Sequence, residues 1–144
     1  MSRSTQRNKE VVREFVQSVP SRDVDTMRAY LTENCVRHLQ LPSARAGSGS
    51  LGAPDAHGRE ALLDGFRRHL YALYREGSIS VEILHMVAED DLVSAHFVFR
   101  ATTARKGEPY ENWYHFLYRL EGGRIAEYWE YVDTAYATEK LFTP

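Results

Sequence analysis

The sequence predicts an α+β fold, with three N-terminal helices packed on one face of a curved, mainly antiparallel sheet. Three observations carry this reading. Apolar residues recur at helical spacing through the first third of the chain. From residue 79 onward they alternate with polar residues at the period of a strand. Turn signals at Asp90-Asp91, Lys106-Gly107 and Gly122-Gly123 divide that second half into four strands. Helices first and a strand meander afterwards is an α+β order; a parallel βαβ sheet would alternate them.

Composition sets the outer limits. The 144 residues read as a single domain, 1–144, long enough to bury a sizeable core. An apolar share of 43% and a charged share of 26% fit a folded, water-soluble chain rather than a disordered one. Eighteen Lys and Arg face twenty Asp and Glu without any block of like charge, so no nucleic-acid partner is expected. No stretch approaches the roughly 20 apolar residues of a membrane span. Residues 1–10 are polar and lack a signal-peptide core. Cys35 is the sole cysteine and cannot form an internal disulfide. A cytoplasmic protein with no membrane contact is the expectation.

The elements follow in order. Val11, Val12, Phe15, Val16 and Val19 mark one helical face that Pro20 ends. Ser21 or Asp23 caps a second, shorter helix bearing Val24, Met27, Tyr30 and Leu31. Residues 35–40 read as a brief strand closed by Pro42. Residues 42–58, rich in Gly, Ser, Ala and Pro, read as a flexible loop, a mobile lid or mouth if the domain holds a pocket. A third helix over about residues 59–75 carries Leu62, Phe66, Leu70 and Leu73, and Gly77 stops it. Strands follow at residues 79–88, 92–103, 112–120 and 124–133. Nine of the seventeen aromatic residues lie between Tyr110 and Tyr136. The helices can cover only one face of such strands, so a second copy of the chain is the expected cover for the other.

Alternation also sorts the chemistry. On the last strand Ala126, Tyr128, Glu130 and Val132 share a face, opposite Ile125, Glu127, Trp129, Tyr131 and Asp133. On the strand before it Tyr114, Phe116 and Tyr118 oppose Trp113, His115 and Leu117. Glu130 is thus a carboxylate among apolar neighbours. Spacing leaves two readings open: a desolvated acid/base, or a rim glutamate paired with Arg119 or Arg124. His38 ends the brief strand before the loop, so it either borders a cavity or lies on the surface. His85 shares a face with Val81, Ile83 and Val87 and reads as a core histidine; His96 sits mid-strand, and His115 reads as an interface residue. No metal-ligand spacing, phosphate-cradling glycine loop or nucleophile elbow occurs, and no metal or cofactor is expected.

Longer motifs carry a resemblance. Gly107-Glu108-Pro109-Tyr110-Glu111-Asn112-Trp113-Tyr114-His115-Phe116, then Tyr118-Arg119-Leu120-Glu121-Gly122-Gly123-Arg124-Ile125, then Glu130-Tyr131-Val132-Asp133-Thr134, are similar to the SnoaL-like branch of the nuclear transport factor 2-like superfamily. His57-Gly58-Arg59-Glu60-Ala61-Leu62 at the third helix fits as well. The resemblance implies a cone-shaped α+β barrel with one deep pocket for a small hydrophobic or aromatic molecule, and homodimers through the outer sheet face. It implies Glu130 as the carboxylate of the last strand, with His38 as the second polar group and Gln40 nearby. Tyr114, Phe116, Tyr118 and Tyr128 would form a wall with hydroxyl donors, His96 would contact the ligand, and Phe15, Tyr30 and Phe66 would line or back the pocket. Three functions remain: a cofactor-independent isomerase, cyclase or lyase; a non-catalytic ligand-binding domain; or a dimeric interaction module.

Overall fold

A computed structural model describes residues 2–39 and 55–144. Helix α1 (Arg3–Ser18) starts at Ser2, whose hydroxyl accepts from the Thr5 amide at 3.1 Å. Its apolar stripe, Val11, Val12, Phe15 and Val16, is buried. Pro20 falls in a 3-10 turn just after it, and Arg22 takes a left-handed conformation that reverses the chain. Asp23 then caps α2 (Val24–Arg28) by accepting from the Asp25 and Thr26 amides. The predicted brief strand at 35–40 is longer: β1 runs Leu31–Leu39. Its first half carries mixed polar residues without clear alternation, which hid it from the sequence.

Of the predicted loop at 42–58, residues 42–54 lie outside the described residues. Its end is a strand, β2 (Asp55–His57), paired antiparallel with β1. Gly58, at φ +94°, turns the chain into α3 (Arg59–Gly65). The predicted 59–75 helix changes pitch: a π-helical turn spans Phe66–Leu70 and a 3-10 turn Tyr71–Leu73. Tyr74 is already extended and bridges Thr103. Gly77 therefore belongs to the following turn and does not stop the helix.

Four antiparallel strands follow: β3 (Ser80–Glu89), β4 (Leu92–Thr102), β5 (Pro109–Glu121) and β6 (Arg124–Val132). Gly122 and Gly123 both hold positive φ, as a two-residue primed turn requires. The sheet order is β2-β1-β6-β5-β4-β3, with β1 parallel to β6 and every other pairing antiparallel. This is the predicted α+β class, but the sheet curves without closing into a barrel, and a fourth helix follows it. Helix α4 (Thr134–Phe142) is capped by the Asp133 carboxylate on the Tyr136 amide. The sequence reading ended at the strand because α4 buries only Ala137 and Leu141, too few for a visible period.

Helix α1 packs on β3, β4 and β6. Phe15 sits at the centre of this contact, with the rings of Tyr30, Phe66, Tyr118 and Tyr128 each 6.4 Å away. Its burial contributes about 1.5–3 kcal/mol. Among the described residues, no helix is long and apolar enough to cross a membrane.

Candidate functional site

Between the helices and the concave sheet face lies a cavity of about 680 Å³. Alternation builds the sheet wall from β4 (Phe97, Phe99), β5 (Tyr110, Tyr114, Phe116, Tyr118) and β6 (Tyr128, Glu130, Val132). Phe15, Phe66 and Leu70 come from the helical side. Ala137, Leu141 and Phe142 of α4 close one end, a contribution the sequence reading lacked.

Glu130 is the carboxylate on the sheet wall of this cavity; Asp55, Arg68 and His69, all exposed, also belong to its lining. Phe116 is the partner of Glu130 across β5 and Leu39 its partner across β1. Its side chain keeps 19% exposure, and it lines the cavity. Burial pushes the carboxyl above the usual carboxylate range, and the guanidinium of Arg37 pulls it part of the way back. Arg37 Nη1 stands 3.9 Å from Glu130 Oε1, too long for a tight ion pair. Neither Arg119 nor Arg124 takes the part of partner that the sequence left open. Arg119 bonds Glu127 and Glu121 instead.

Arg37 was not foreseen. On β1, Arg37 and Leu39 line the cavity while His38 faces outward. Its position before the loop and the resemblance pointed to His38, but strand phase decides the face, and it brings the neighbour to the cavity. His38 lies on the far side of the sheet from Glu130, stacked on Trp129. Its Nε2 is 2.6 Å from Glu127 and its Nδ1 3.0 Å from Asp55. Burial disfavours the imidazolium, but the bonds to Glu127 and Asp55 outweigh it and hold the His38 pKa above its ordinary value.

The other expected residues divide. Tyr114, Phe116, Tyr118, Tyr128, Phe15 and Phe66 meet in the cavity with Glu130. Tyr30 stands behind Phe15 and does not line it. His96 also faces away: it pairs with His85, Nδ1 to Nδ1 at 3.2 Å, in an outer-face row that continues to His115. His85 is exposed, not core. A bulge between Ile83 and His85 shifts the strand phase, so Met86 turns inward and His85 and Val87 turn out. Gln40 lies outside the described residues. Cys35 is buried, and burial pushes its thiol up to about 12. Among the described residues no three His, Cys, Asp or Glu side chains converge as a metal's ligands would.

Phenol hydroxyls are the remaining polar groups of the sheet wall. Burial raises Tyr114, Tyr118 and Tyr128 well above the ordinary phenol value, so they stay protonated and able to donate. An aromatic-lined cavity with a desolvated carboxyl, a guanidinium beside it and several phenols can hold a ring compound and exchange a proton with it.

Solved structures share this architecture. A candidate SnoaL-like polyketide cyclase from Jannaschia sp. superposes with a TM-score of 0.81 at 15% identity, covering 100% of this chain and 97% of that one. An NTF2-like protein of unknown function from Burkholderia pseudomallei gives 0.80 at 19% identity, covering 99% and 100%. IdmH, a candidate polyketide cyclase from Streptomyces antibioticus, gives 0.73 at 22% identity, covering 94% and 99%. At these identities the likeness is one of fold. No curated protein matches the chain. The SnoaL-like domain matches residues 12–128, from the buried face of α1 to the middle of β6. Sequence match and fold agree, and the chain belongs to the SnoaL-like domain family.

Proposed function

We propose that the protein is a cofactor-independent acid/base enzyme, an isomerase, cyclase or lyase, acting on a small hydrophobic or aromatic molecule held in the cavity. One observation carries the reading: a carboxyl with a raised pKa, Glu130, lines a cavity walled mainly by aromatic and aliphatic side chains. In its ionised form it takes a proton from a carbon next to a carbonyl and leaves an enolate. The protonated carboxyl then returns that proton at the same or another carbon. Arg37, not His38, is the charged group beside that carboxyl, and it balances the charge that moves between carboxyl and substrate. Phe116, Tyr118 and Tyr128 hold the ring and exclude water. A second copy of the chain covers the outer sheet face, where Trp113 and Tyr131 are 50% and 52% exposed.

The test needs no natural substrate. Exchange of the α-protons of 2-tetralone in D2O, followed by NMR, reports proton abstraction directly. The wild-type protein accelerates exchange, and Glu130→Gln reduces the acceleration by about 10²–10⁴-fold. Binding of 2-tetralone without any faster exchange favours the ligand-binding alternative and removes the enzymatic one.

A further inference from the structure

The register of β3–β6 arranges the outer sheet face in rows that run across the strands. The middle row is His85, His96, His115 and Tyr131. Val98 and Trp113 flank it on one side, and Val87, Leu117 and Trp129 on the other. Beyond these, each end of the face holds an arginine between two carboxylates. Arg100 bonds Glu111 at 2.7 Å and Glu82 at 3.1 Å. Arg119 bonds Glu127 at 3.3 Å and Glu121 at 3.4 Å. A copy rotated by a half-turn about the histidine row presents the same order of mixed charge, apolar surface, histidine, apolar surface and mixed charge. The face is complementary to itself, with a polar rim around an apolar middle.

The middle of that face tolerates few protons. The ring planes of His85 and His96 differ by 7°, and their Nδ1 atoms are 3.2 Å apart. The ring centres are 5.5 Å apart, which is that distance plus one ring radius on each side, so the two nitrogens meet head-on. One proton fits between them: one Nδ1 donates it and the other accepts it. A second proton sets N–H against N–H, breaks the bond and leaves two positive charges side by side. His115 is next in the row, its ring centre 6.0 Å from that of His96 and its Nε2 2.5 Å from Ser94 Oγ. No carboxylate stands in the row to compensate the charge. Glu82 and Glu111 are engaged by Arg100, Glu121 and Glu127 by Arg119, and Glu89 lies two rows away on β3.

We propose that the row of His85, His96 and His115 makes this face a pH-controlled contact, which holds a second copy of the chain while the row is neutral and releases it as the row takes up protons. Such control rests on the second copy already proposed as the cover of the face. In the paired chains two histidine rows meet where water is excluded, and an imidazolium there loses its hydration without gaining a carboxylate. In the separated chains each row is open to water. The separated chains therefore bind more protons than the paired ones, and acid moves the balance toward single chains. Imidazole is the side chain whose charge ordinarily changes between about pH 5 and 8, so the control falls in that range.

Sedimentation equilibrium at about pH 8 and about pH 5 tests this. The wild-type protein sediments as two chains at the upper value, and its dissociation constant rises about tenfold or more at the lower one. Its circular dichroism is the same at both, which separates release from unfolding. The double variant His85→Gln/His96→Gln keeps hydrogen-bonding side chains that take up no proton, and it loses most of the rise. His57→Gln, on β2, keeps the rise in full. Calorimetric dilution of the wild-type protein near about pH 6, in two buffers of different ionisation enthalpy, reads the protons directly, and the chains take up protons as they separate. A dissociation constant that ignores pH, a rise that persists in the double variant, or dilution without proton uptake overturns the proposal. Acid release that coincides with loss of the circular dichroism signal overturns it too. A single chain at both pH values would defeat the second-copy reading along with this one, whereas a pair equally stable at both would defeat only this one.

Discussion

Glu130 is a carboxylate held where water solvates it poorly, and that has a cost to the fold. Its folded pKa is raised above the unfolded value. Between those two values the native state binds more protons than the unfolded chain, so stability falls as pH rises through that window. Glu130→Gln removes the charge and keeps the shape. The variant is expected to melt higher than wild type at neutral pH, and the difference to shrink toward about pH 4. Thermal melts across that range check it; a lower melting temperature at neutral pH would show that Arg37 more than offsets the burial. Residues on β5 and β6 were legible from sequence because alternation is unbroken from Tyr128 to Val132 and from Tyr114 to Tyr118. Arg37 was not. Its strand takes its phase from Tyr128 and Glu130, partners at the other end of the chain, and nothing local distinguishes its face from that of His38.

At the scale of elements, His38 joins three strands. It belongs to β1 and bonds Asp55 on β2 and Glu127 on β6. The raised imidazole pKa means that this stabilisation is fully present below the unfolded value of about 6.5 and is lost as pH rises through the folded one. Glu127 is held low, first by its bond to His38 and then by Arg119, so its share is present above the ordinary carboxylate value and is lost as pH falls through the depressed one. The link is therefore strongest between the two. His38→Gln is expected to cost about 1 kcal/mol near pH 5.5 and little at alkaline pH. Urea titrations at the two pH values decide it, and an equal loss at both would reduce His38 to a packing role beside Trp129. The order and class of the elements were legible, but the bulge at Ile83/His85 and helix α4 were not. A bulge is one residue of extra backbone with no composition of its own. A nine-residue helix with two buried side chains has no period to read.

For the whole molecule, the two faces of the sheet divide the work. The concave face carries the cavity; the outer face carries Trp113, Tyr131 and Val87, all exposed, and the histidine row. If a second copy covers that face, Trp113→Glu is expected to halve the sedimenting mass at micromolar concentration. It should leave the 2-tetralone affinity unchanged, because Trp113 points away from the cavity. A wild-type protein that sediments as one chain leaves the outer face without the cover proposed for it. The family and architecture were legible from motifs that span strands, whereas the open edge of the sheet depends on how far the strands curve, which no motif encodes. The parallel pairing of β1 with β6 has a further consequence in time. His38 lies opposite Trp129, about ninety residues later in the chain. During synthesis β1 emerges early and waits, its edge unpaired, while all the antiparallel hairpins between can form from neighbours. The enclosure around Glu130 is thus assembled last, by the slowest kind of contact, and until then the aromatic wall stands open to whatever else in the cell is sticky.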